Sequence, residues 1–184
     1  AGSPASTIAN DTRTAATQGS YSVLHWSANR LQTLRPDLSL MAAAQGQIAS
    51  KNLAPAEKFY LGGMNGVRAY PSGEAGGSSG WMVNLELRKQ MGPNWLASAF
   101  VDRGQVVQFE HNLRADGAGP LVAANRITLS GRGVALEYRN AHGVVVKAGL
   151  ARRNGSNPIA TPSGRDSDGS LEKNRVWINA SFAF

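Results

Sequence analysis

The chain contains no cysteine, so no disulfide framework and no thiolate metal site is open to it. It also has no apolar run near the ~20 residues that a membrane-spanning helix requires. That second absence excludes helical spans alone. A transmembrane β-strand is short and alternates lipid-facing with lumen-facing residues, so it leaves no hydropathy peak. The first residues, Ala1-Gly-Ser-Pro-Ala-Ser-Thr, carry neither the basic nor the apolar region of a signal peptide, and the chain does not start with methionine. The expectation is an export signal already removed, or a piece of a longer protein.

Signatures of catalysis are equally scarce. The three histidines, His25, His111 and His142, stand far apart without ligand spacing. Asp166 and Asp168 would bind calcium only weakly, since no twelve-residue loop pattern surrounds them. No Gly-Lys-Ser/Thr follows any glycine run, so there is no phosphate loop. Residues 76–80 fit Gly-x-Ser-x-Gly with Ser78 in the nucleophile position. That motif works as a sharp turn from a buried strand into a helix, whereas here a loop precedes it and a strand follows. Neither an enzyme, nor a cofactor, nor a bound metal is expected. The net charge of +7 comes from 19 basic and 12 acidic residues. Arg152-Arg153 and Glu172-Lys173 read as loop residues, and no basic run is interleaved with aromatics. The charge reads as dispersed, and nucleic acid is not an expected partner.

What is present is alternation. After a small, polar stretch over residues 1–19, a strand is expected from Tyr21 to about Leu34, ending at the turn Arg35-Pro36-Asp37. Leu40, Ala42, Ala44, Gly46 and Ile48 then alternate with Ser39, Met41, Ala43, Gln45 and Gln47. Trp81, Val83, Leu85 and Leu87 oppose Met82, Asn84, Glu86 and Arg88. Gly92-Pro93-Asn94 turns the chain into a strand from Trp95 to about Val107. Three more strands follow, around residues 134–139, 144–152 and 175–184. About seven strands result, all-β and antiparallel. Short connections (35–37, 92–94, 140–143) alternate with long ones (53–79, 108–126, 153–173), which is the pattern of an outer-membrane barrel with short turns at one end. A soluble sandwich gives no reason for that asymmetry. Glu86, Glu137 and Lys147 all fall on the non-apolar face, as a wet lumen requires.

The connection over residues 53–79 stands apart. Its stretch 59–71 holds three glycines, three aromatic residues and one arginine, more than an idle solvent loop needs. Phe59, Leu61-Gly62-Gly63 and Val67-Arg68-Ala69-Tyr70 resemble the loop signature of two-partner secretion transporters (the TpsB, haemolysin secretion/activation type). The usual tetrapeptide has glycine where this chain has Ala69, and alanine is costly there if a positive φ is needed. Phe100, Asp102 and Gly104 resemble that family's Phe-x-Asp-x-Gly strand motif. A terminal Phe184 after Phe182 resembles the closing strand of outer-membrane barrels.

The resemblance implies a multi-pass β-barrel in a Gram-negative outer membrane, exporting a partner exoprotein of haemolysin or adhesin type. The loop would fold into the lumen, where Arg68 would pair with Asp102, with Glu86 as a possible second carboxylate. Phe59, Tyr70 and Phe100 would pack around the pair. Trp26, Trp81, Trp95 and Trp177 would serve interfacial girdles or lumen packing. Phe182 and Phe184 would be read by the barrel-assembly machinery, and lipid would surround the wall. Since such barrels close with roughly sixteen strands, residues 20–184 would form the C-terminal half of a longer protein. The alternative in the same superfamily is an outer-membrane protein assembly factor of BAM type.

Overall fold

The computed structural model describes residue 11 and residues 13–182. The long strands run β1 (Val23–Arg35) and β2 (Leu38–Ala49), then a two-residue pair, β3 (Phe59–Tyr60) with β4 (Gly76–Gly77). They continue as β5 (Ser79–Met91), β6 (Trp95–Val107), β7 (Arg126–Arg139), β8 (Val144–Arg153) and β9 (Asn174–Phe182). Seven of these form one sheet in the order β1-β2-β5-β6-β7-β8-β9. Every neighbouring pair is antiparallel. It is a continuous meander in which β1 and β9 are the two edges. Arg153, expected in a loop, instead ends β8, and Arg152 lies within the strand, because the ladder with β7 continues through Arg132↔Arg152 and Gly131↔Arg153.

The period-2 alternation sorts side chains cleanly. In β6, Ser98, Phe100, Asp102, Gly104 and Val106 are buried on one face. On the opposite face Val101, Val134 and Leu150 are exposed, alongside Leu85, Leu87, Val176 and Ile178. At the short-turn end of that outer face Trp95 and Tyr138 touch, ring centres 4.8 Å apart. Trp26 and Trp81 lie toward its other end, near the long loops.

The core has an unusual location for an all-β chain. It lies between the inner face of the sheet and the loop that joins β2 to β5. Leu61, Val67, Ala69, Tyr70 and Ala75 from the loop pack on Met82, Phe100, Val106, Ile127, Leu129, Ala135 and Ala151 from the strands. Among the described residues no helix is long and apolar enough to cross a membrane.

The other long connections are anchored as well. Asn52 accepts from the His111 amide and donates to the carbonyls of Ala15 and His111, tying together three segments at the long-loop end. Residues 13 and 14 add backbone bonds to Ala115 and Asp116.

Candidate functional site: the Arg68 lock

The loop owes its shape to two consecutive turns. Gly63 accepts φ +118°, which a side chain would strain, and its carbonyl receives the Gly66 amide. The Tyr70 amide then closes on the Val67 carbonyl at 3.1 Å. Arg68, the residue after Val67 in this second turn, faces the sheet.

Arg68 meets two carboxylates. Its Nε and Nη2 donate to Asp102 Oδ2 and Oδ1 at 3.0 and 2.8 Å, the parallel fork that suits a guanidinium. Its backbone amide also donates to Oδ2 at 3.1 Å. The remaining nitrogen, Nη1, reaches Glu86 Oε2 at 2.7 Å. The two acids sit on adjacent strands, because Asp102 pairs in register with Asn84 and Phe100 with Glu86. Asn84 donates to Asp102 Oδ1 and to the Gly66 carbonyl, joining wall and loop a second time. Glu86 is shared further with Arg88 at 2.9 Å and with Lys147 at 3.9 Å.

The Asp102 side chain is wholly buried and that of Arg68 only 11% exposed. Burial pulls the guanidinium pKa down, but the hydrogen bonds and charge of Asp102 and then Glu86 more than offset it, leaving it above its ordinary value. The guanidinium carbon lies over the Phe100 ring, 3.4 Å from its centre, a cation–π contact strengthened by desolvation. From β9, the Trp177 indole N–H donates to the Arg68 carbonyl at 2.6 Å. A cavity of about 380 Å³ opens beside this cluster, lined by Met64, Asn65, Arg68, Lys147 and Trp177 among others.

The strand motif residues each answer to the loop. Phe100 supports the guanidinium and Asp102 binds it. Gly104 leaves room for Leu61, whose Cδ2 would lie 2.6 Å from any Cβ placed there. Ala69 needs no positive φ. Its methyl instead fills the space above Gly131, where an added Cβ would meet it at 2.5 Å.

Two of the expected aromatic shields lie elsewhere. Phe59, in β3, lies against Gly80 of β5 at the edge of the core. Tyr70 is buried in the core with Arg153 near its ring, at 5.9 Å, so its hydroxyl end faces a different cluster. That second cluster could not be read from the sequence. Asp166, which the sequence left without a calcium-loop pattern, is fully buried and bound by Arg153 at 2.6 Å and Arg175 at 3.5 Å. Asn157 bridges Asp166 to Glu74 of the first loop, and Glu74 also accepts the Ser167 amide. The β8–β9 loop is thereby fastened over the Arg68 loop. Ser78 is buried, accepts the Leu53 amide and donates to the Gln108 carbonyl, so its oxygen is engaged in holding loops. Phe182 stands exposed on the outer face of the edge strand, and Phe184 lies outside the described residues. Among the described residues no three His, Asp or Glu side chains are grouped to hold a metal.

The profile of the haemolysin secretion/activation protein family ShlB/FhaC/HecB matches residues 4–129, which include both the loop and the Phe100–Gly104 strand motif. The chain belongs to this family. Among solved structures, CdiB from Acinetobacter baumannii is similar, with a TM-score of 0.54 and 23% identity over 85% of the chain. The likeness extends to the fold: the seven-stranded sheet is a portion of an antiparallel transmembrane β-barrel wall. The chain spans 25% of the length of that CdiB chain. No curated protein matches it. The Arg68 side chain meets the sheet on its inner face, at Glu86, Phe100 and Asp102.

Proposed function

We propose that this chain is the C-terminal half of an outer-membrane pore that carries a partner exoprotein of haemolysin or adhesin type from the periplasm to the cell surface. Residues 20–184 supply the second half of the wall, and preceding strands complete it by pairing with both edges. An open sheet in lipid would leave two rows of unsatisfied backbone groups. The single observation that carries the reading is the arginine fork: one loop residue is bound to carboxylates on two neighbouring strands and to the final strand through Trp177.

In this reading the lock sets the depth and orientation of the loop in the lumen. The lumen wall beside it is polar, with Asn84, Arg88 and Lys147, and offers an unfolded chain hydrogen bonds in place of water. No nucleotide site enters the mechanism, and folding of the exoprotein outside draws the chain through. Phe182 and Phe184 serve the barrel-assembly machinery during biogenesis, a role outside the transport step.

The test is a charge swap in the full transporter, read as secretion of its exoprotein. Arg68→Asp places three carboxylates together and abolishes export. Adding Asp102→Arg restores opposite charges across the same gap and recovers part of it. A double variant that folds as a barrel yet exports nothing more than the single one counts against the lock as the positioning device.

A further inference from the structure

The outer face of the sheet carries a group of cations that the lumen reading leaves unused. Register places Arg132 of β7 directly opposite Arg152 of β8, with Cβ atoms about 5 Å apart for such a pair. Arg103 of β6 faces Ser130 and so lies diagonal to Arg132. All three side chains are exposed. Like charges directly opposite one another on a sheet destabilise it. Yet no acid relieves them: none of the outward-facing positions of β5 to β9 is Asp or Glu. Among the described residues the side chains of Arg103 and Arg152 form no hydrogen bond or ion pair, and that of Arg132 reaches only the neutral amide oxygen of Asn154 at 3.0 Å.

These arginines border apolar surface. Val101, Val134 and Leu150 lie one step down the same face, each about half exposed. Together with Leu85 and Leu87 they line an open groove of about 660 Å³ that ends at Arg132 and Arg152. The charged end is the one from which the long loops emerge, the outer end of a barrel.

We propose that Arg103, Arg132 and Arg152 bind the phosphate groups of an outer-leaflet lipid whose acyl chains lie in the Leu85–Leu150 groove. The proposal rests on the barrel reading above, which sets this face against lipid. In that setting an uncompensated arginine pair at the edge of the apolar band is costly. A phosphorylated headgroup supplies the missing anion at the depth where the cations stand, and its chains continue along the groove. A free phosphate matches the charge but leaves the groove unused, so the lipid is the occupant that satisfies both.

The full transporter containing this chain, purified in detergent, is offered lipid A or the same lipid stripped of its phosphates, and retained lipid is read by native mass spectrometry. Phosphorylated lipid A should be held on the order of thirtyfold more strongly, the scale of two surface cations acting on an anionic lipid. The Arg132→Gln/Arg152→Gln variant should erase the difference, and inorganic phosphate should fail to displace the lipid. Equal retention of both lipids by the unaltered protein overturns the proposal. So does a preference that survives in the double variant, or displacement by inorganic phosphate alone. Heat-modifiable migration on gels and single-channel conductance establish the barrel independently. If the double variant does not fold, the two lipids on the unaltered protein still decide. Export is read separately, so a barrel that binds lipid A but secretes nothing separates this proposal from the one before it.

Discussion

Arg68 and Glu86 are joined at 2.7 Å although Asp102 already occupies two faces of the same guanidinium. One cation therefore holds two strands, and the geometry needs a planar group with donors on three sides. Lysine keeps the charge but concentrates it at one point. Arg68→Lys should free the loop from at least one carboxylate, raise its cleavage by added protease, and cut export several-fold without preventing barrel formation. Intact protection with full export in that variant would contradict the fork.

The Trp177 indole contributes a contact of a different kind, because it binds the backbone of Arg68 and not its side chain. Trp177→Phe removes one hydrogen bond while retaining most of the ring, a cost of about 1 kcal/mol. If it steadies the same loop, a double-mutant cycle with Arg68→Gln should show coupling. Additive effects on the urea midpoint of the barrel would place Trp177 outside the lock.

Gly131 and Ala69 share one space. Gly131→Ala should destabilise the docked loop by about 1–3 kcal/mol through overpacking. Ala69→Gly should be mild alone and should rescue Gly131→Ala. Thermal unfolding of the three variants checks this, and failure of the rescue would mean that the Gly131 backbone, not the methyl above it, is what alanine disturbs.

The clasp between the two long loops makes its own prediction. Asp166→Asn leaves Arg153, whose side chain is 5% exposed, without its buried counter-charge, a loss of about 3 kcal/mol or more. Limited proteolysis should then cut within residues 154–173 first and in the Arg68 loop afterwards. The opposite order would show that the clasp does not protect the loop below it.

Asp168 supplies a pH signature. Partial burial raises its pKa, but hydrogen bonds from Ser170 and Arg175 outweigh that and hold the carboxyl at about 2, below its ordinary 3.8. A depressed folded value means that the contribution to stability is complete above 3.8 and lost as pH falls through about 2. Carboxyl chemical shifts should show this titration, and Arg175→Gln should move it back up. A midpoint near 3.8 in the unaltered protein would dissolve the Arg175 contact.

Much of this was legible in the sequence because the sheet is a meander. Alternation alone placed Glu86 and Lys147 on one face, and turn residues fixed most strand ends to within a residue or two. The Arg68 partners followed from a motif resemblance combined with that alternation. Trp177 did not, since 109 positions separate it from Arg68 and nothing local marks which indole meets which carbonyl. Nor did the Glu74–Asn157–Asp166 cluster, which depends on how two irregular loops stack. The arginine pair on the outer face escaped for a third reason. Charges that read as dispersed along the chain become neighbours only once the β7–β8 register is known. Asn84 was the accessible omission: it shares a face with Glu86, two residues away, and sits opposite Asp102.

The loop and the sheet bury their apolar side chains against each other, with little else on this part of the wall to bury. A lid can swing because its hinge and its contents are separate things. Here the plug is half of the hydrophobic interior, so withdrawing it would wet Leu61, Val67, Ile127 and Leu129 together. In the proposed pore, opening along this side would therefore be a partial unfolding reaction, steep in temperature and denaturant. A small detachment at Arg68 that leaves the interior closed is far less demanding than full withdrawal.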